Sequence, residues 1–161
     1  MKNLLVYAVI GLGVVAYNVS TQADRDETGA IVAEGNLDAF TIRLGDCFNN
    51  TGSLASDESG EVSSLPGVPC SDPHDYEVYA VIDVNEATFP GDEAMSEIAF
   101  ERCLSRFENF VGREYETSAL DITSIYPTRE SWDVQNDREV VCALMDVDAN
   151  KLTGSARDTA I

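Results

Sequence analysis

Only two of the 161 residues are lysines, Lys2 and Lys151, and ten basic side chains in all face 29 acidic ones, for a formal net charge of −19. Binding to a nucleic-acid backbone needs clustered cations and release of counterions, so this balance excludes nucleic acid as a partner. Histidine and tryptophan occur once each, as His74 and Trp132. No C-x-x-C pair and no G-x-S-x-G elbow is present, which removes the usual zinc, thioredoxin-like and serine-hydrolase signatures. Internal repeats are also lacking.

What is present begins with an uncharged run from Leu4 to Ala23 behind Lys2, strongly apolar from Leu4 to Tyr17. That core is short for a spanning helix of about 20 residues and long for a signal core of about 7 to 15. Residues 1–23 are predicted to form an uncleaved single-pass anchor with its amino end in the cytoplasm, secretion after signal cleavage being the alternative. The acidic stretch 24–39, poor in large apolar residues, reads as a linker. Residues 40–161 read as one extracytoplasmic domain.

Four cysteines, Cys47, Cys70, Cys103 and Cys142, are an even number, as two disulfides in an oxidising compartment require. Three connectivities are possible. Pairing of nearest neighbours in sequence predicts Cys47 with Cys70 and Cys103 with Cys142. All four thiols are then consumed, leaving no cysteine nucleophile.

Along the domain, FTIRLGDCF (40–48) alternates as a strand, and residues 49–68, rich in Gly, Ser and acids, read as a surface loop. DYEVYAVIDV predicts a half-buried strand with Val78, Ala80, Ile82 and Val84 on one face. From Pro90 to Gly112 the period becomes helical, and Met95, Ala99, Cys103, Phe107 and Phe110 form one apolar stripe. Further strands are predicted around 119–126 and 139–147, the latter central because EVVCALMDV is apolar nearly throughout. Residues 127–139 read as a turn-rich connection. The order β, β, α, β, β predicts an α+β fold: an antiparallel sheet with one long helix packed on a face, two disulfides, and the N-terminal membrane segment before it.

Chemistry is sparse. His74 lies in PHD between Pro73 and Asp75, so a role in framing the loop behind Cys70 is preferred to a catalytic or ligand role. One histidine cannot supply the three or four nitrogen or sulfur ligands of a zinc site. DVDAN (146–150) opens like a calcium loop, but Lys151 stands where glycine is needed and Arg157 where the bidentate glutamate belongs. No cofactor or metal is therefore expected. Trp132 is assigned to the core because it carries much buried area. Sequons at Asn18 and Asn49 are short enough to arise by chance.

The blocks GDCF (45–48), VPCSDPHDYEVYAV (68–81), Cys103 on the helix, YPTRESW (126–132), DREVVC (137–142) and LTGS (152–155) together resemble the septum formation family of bacterial envelope domains. The family commonly has a short glycine turn between the tryptophan and the Asp-Arg pair. Here Asn136 would take the left-handed position. The resemblance implies a role at the envelope, in septum formation or division, without established catalysis. His74, Asp75, Trp132 and Arg138 become candidate binding or framework residues. The reading is a membrane-tethered binding or scaffold module, not an enzyme, whose partner is another envelope or membrane protein. The alternatives are a hydrolase using His74 with Asp72 or Asp75, and a weak cation- or ligand-sensing domain.

Overall fold

The computed structural model describes residues 22–50 and 62–161. Among these residues eight strands and two helices follow in order: β1 (Asp24–Arg25), β2 (Ile31–Ala33), β3 (Gly35–Asp38), β4 (Cys47–Phe48), β5 (Ser64–Val68), β6 (Tyr76–Asp83), α1 (Asp92–Val111), β7 (Leu120–Ile125), α2 (Arg129–Val134) and β8 (Glu139–Asp146). Strands β3-β5-β4-β6-β8-β7 form one sheet with every neighbour antiparallel, and β1 pairs with β2 apart from it. The α+β architecture matches the prediction, with α1 packed across β6, β7 and β8.

Helix α1 presents the predicted stripe: Met95, Ala99, Cys103, Phe107 and Phe110 are all buried. Acids Asp92 and Glu93 occupy its first turn, where the helix dipole favours negative charge, and the Gly112 N–H closes onto the Glu108 carbonyl at 2.8 Å. Both disulfides have the predicted partners. Cys103 on α1 bonds Cys142 on β8 with Cα atoms 5.3 Å apart, and Cys47 on β4 bonds Cys70 across 5.2 Å. The first ties the helix to the sheet, and the second ties the chain before β6 to the strand beside it.

Strand β6 departs from simple alternation. A bulge between Val78 and Ala80 puts Tyr79 and Ala80 both toward the core under α1, so Val78 joins the core on the other face and does not share a face with Ala80, Ile82 and Val84 as predicted. Both faces of β6 are therefore covered, and the strand is not half-buried as predicted. Its neighbours β4 and β8 make it central.

What covers the second face is the stretch predicted to be a linker. Residues 24–38 instead carry β1 to β3, and Ile31 and Leu37 are buried against Phe48, Leu65 and Tyr76. The hairpin is shaped by Asp26, whose Oδ1 accepts from the Thr28 and Ala30 N–H groups at 2.8 and 3.1 Å. It is clamped by Arg25, which donates from Nη1 and Nη2 to the two oxygens of buried Asp46 at 2.6 and 2.8 Å. Gly67 on β5 has no side chain for a steric reason: a Cβ there would stand 3.1 Å from Ile31 Cδ1 and 3.3 Å from Leu37 Cβ.

Two local predictions also need correction. Of the strand expected over 40–48, only Cys47–Phe48 are extended into the sheet, and Ala39–Thr41 form a 3-10 turn. The chain bends because Gly45 adopts φ 84° and the Asp46 carboxylate turns back to accept the Arg43 N–H at 2.7 Å. The loop expected over 49–68 contains β5 from Ser64 onward. The membrane segment expected over 1–23 lies outside the described residues except for Gln22 and Ala23, as does the Asn18 sequon. Among the described residues no helix is long and apolar enough to cross a membrane.

Candidate functional site

The candidate residues lie at the two ends of β6. His74 and Asp75 precede its first residue, whereas Arg138 meets its far end, where the Val84 N–H donates to the Arg138 carbonyl at 2.7 Å. An eight-residue strand separates them by roughly 25 Å at about 3.3 Å per residue. The structure does not bring His74 and Asp75 together with Trp132 and Arg138.

At the first end, His74 is fully buried and exchanges backbone hydrogen bonds with Leu152 at 3.0 and 2.8 Å. Its Nδ1 faces the Asp72 carbonyl oxygen at 2.8 Å and so carries a proton, and Nε2 has no partner. Ser71 is hydrogen-bonded to Asp72 rather than to the imidazole. Asp75 accepts from the Asn50 N–H at 2.7 Å and pairs with Lys151 at 2.8 Å. Burial alone would raise its pKa, but these two partners outweigh burial and hold it below the ordinary carboxylate value. Two residues further on, buried Glu77 accepts from the Ser155 hydroxyl at 2.5 Å and the Ala156 N–H at 2.7 Å. This end is a lock on the C-terminal segment. The DVDAN stretch is likewise a closed turn, with Asp146 Oδ1 accepting from the N–H groups of Asp148 and Asn150 at 2.9 and 3.2 Å.

At the other end α2 drives Trp132 inward, to 3% exposure, edge-on to Phe89. A capping box starts α2: the Ser131 N–H donates to Thr128 Oγ1 at 3.1 Å and the Thr128 N–H to Ser131 Oγ at 3.0 Å. Thus the connection predicted over 127–139 holds a short helix. Arg138 lies 3.6 Å over the Trp132 ring and donates Nη1 to the Trp132 and Asp137 carbonyls at 3.0 and 2.7 Å. Its charge is spent on the framework. Asn136 takes the predicted left-handed conformation at φ 56°. Its neighbour Asp137 accepts from Ser131 Oγ at 2.9 Å and from the Glu139 N–H at 3.1 Å.

Beside this framework a groove of about 210 Å³ opens between the 3-10 turn and the ends of β7 and β8. Phe40, Val62, Ile125, Tyr126 and Val141 give it apolar walls, with Asp137 and Glu139 among its polar lining. Phe40 is 57% exposed although it lines a cleft. A shallower hollow adjoins, sharing Phe40, Asp137 and Glu139 and adding Asp83, which pairs directly opposite Glu139 across β6 and β8. Burial, followed by the charges of Asp83 and Asp137, raises the Glu139 pKa. Among the described residues no ion pair reaches Asp83, Asp137 or Glu139. Phe40 and Glu139 were not legible in the sequence, because Phe40 looked like the first residue of an alternating strand and Glu139 like the first residue of a central one.

Residues 44–160 match the family described as septum formation. The chain belongs to this family. No curated protein and no solved structure matches it. The matched region of this septum formation domain includes both disulfides, the C-terminal lock and every groove wall except the 3-10 turn, which precedes it.

Proposed function

We propose that this septum formation domain is a membrane-tethered, extracytoplasmic binding module of the bacterial cell envelope, engaging a partner protein through the groove beside Phe40. Family membership supports the envelope role, and the apolar run behind Lys2 supports the tether. The observation that carries the compartment is the pairing of all four cysteines, with no free thiol left. Binding is favoured over hydrolysis because the single imidazole is sealed in the framework, while the exposed apolar side chain Phe40 lines a cleft. Fractionation of cells combined with thiol alkylation tests this reading. The full chain is expected with the membranes and with no alkylable cysteine before reduction. A soluble chain with four reactive thiols would overturn it.

A further inference from the structure

The groove beside Phe40 has a size and a charge pattern that specify its occupant more narrowly than the reading above, on which this inference rests. Small-molecule sites usually enclose about 300 to 1,000 Å³. The adjoining hollow of about 520 Å³ is an open surface that encloses little, and at about 210 Å³ the groove itself is smaller. That volume suits one or two anchor side chains inserted from a protein surface. Its walls ask for an apolar or aromatic anchor, since Phe40 and Tyr126 offer ring surface and Val62, Ile125 and Val141 offer aliphatic surface.

Its electrostatics ask for positive charge. Glu139 and Asp137 line the groove and Asp83 stands opposite Glu139 on the neighbouring strand, so like charges gather where, among the described residues, no cation forms an ion pair with them. Arg138 lines the adjoining hollow but not the groove, and its guanidinium stacks on Trp132 and donates to backbone carbonyls. Burial first, and then the charges of Asp83 and Asp137, raise the Glu139 pKa, and a nearby positive charge would offset the repulsion. A metal ion is a poorer fit, because among the described residues no three acidic, histidine or cysteine side chains are placed to hold one. Guanidinium can meet the carboxylates and lie against the aromatic rings of Phe40 and Tyr126 together, which an ammonium does less well.

We propose that the groove formed by Phe40, Val62, Ile125, Tyr126 and Val141, with Asp137 and Glu139 beside them, docks a protein segment presenting an arginine next to an aliphatic or aromatic residue. The apolar neighbour fills the cleft and the arginine answers the acids, so selectivity comes from the charge and affinity from the anchor.

The test is selection from a phage-displayed random heptapeptide library on the oxidised full chain. Binding of the enriched peptides is then compared among wild type, Phe40→Ser, Glu139→Gln and, as a control remote from the groove, Glu108→Gln on α1. Intact disulfides and an unchanged near-ultraviolet spectrum certify that each variant is folded. The expected peptides carry arginine beside an apolar residue, weaken about tenfold on Phe40→Ser, about fivefold to tenfold on Glu139→Gln, and not on Glu108→Gln. Peptides that need Phe40 but lack a cation would keep the groove as the docking surface and overturn the arginine. Peptides indifferent to Phe40→Ser, or no enrichment at all, would overturn the groove as well.

Discussion

The two ends of β6 are built from similar residue types and do opposite things. Around His74, acids are matched: Asp75 has Lys151 and the Asn50 N–H, Glu77 has Ser155 and the Ala156 N–H, and the Cys47–Cys70 bond lies alongside. Around Glu139, acids face one another and the neighbouring apolar groove is open to solvent. A buried carboxylate with its hydrogen bonds made stabilises the fold, whereas repulsion left uncompensated costs stability and favours a cationic partner. The histidine that draws the eye in the sequence therefore belongs to the framework, and an unremarked phenylalanine and glutamate form the exposed surface.

Substitutions at the two ends, and at the disulfide that joins α1 to β8 between them, should separate accordingly. The largest loss is expected where the framework is covalent: Cys103→Ala with Cys142→Ala should lower urea-unfolding stability by about 4 kcal/mol, from the unfolded-state entropy of a loop of this length. Next comes Glu77→Ala, which strips two donors of their charged acceptor and should cost about 2 to 3 kcal/mol. It should also expose the segment after Asp146 to limited proteolysis before the rest of the chain. Lys151→Ala should cost only about 0.5 kcal/mol, since that ion pair is partly exposed.

The smallest effect should have the reverse sign. Glu139 has a raised pKa, so folding favours its protonated form. Its unfavourable contribution grows as pH rises through the ordinary carboxylate range and is complete above the raised value. Glu139→Gln should therefore stabilise at neutral pH, by no more than about 0.5 kcal/mol because the side chain is exposed and screened, and should lose that advantage in acid. Asp75 has a lowered pKa, so its contribution is present above the ordinary carboxylate value and disappears as pH falls through the lowered one. Urea midpoints of wild type, Lys151→Ala and Glu139→Gln, followed between about pH 2 and pH 7, should show both trends.

Much of the frame was legible because periodicity and cysteine count act locally. The 3.6-residue recurrence from Met95 to Phe110 identified a helix and its buried face, and the apolar run at 139–147 identified a central strand. The N-terminal strands were not legible. Residues 24–38 are polar and short of large side chains, and they gain structure from Arg25 meeting Asp46 and from the space Gly67 leaves, contacts between residues far apart in sequence. The helix at Arg129–Val134 was hidden because its capping box uses Ser131 where glutamate or glutamine is the usual signal. Of the candidate site, Tyr126, Asp137, Glu139 and Val141 lie within recognised blocks, but the groove exists only once the turn at Ala39–Thr41 meets β7 and β8 across the sheet. No spacing in the chain encodes that meeting.

The most direct test places a photo-crosslinking amino acid at Phe40 in one strain and at Asp72, an exposed position beside His74, in another, with the full chain in its native envelope. The account predicts an adduct to an envelope protein from position 40 that fades when Glu139→Gln is added, and none from position 72. An adduct confined to position 72, or one from position 40 that ignores Glu139, would contradict it.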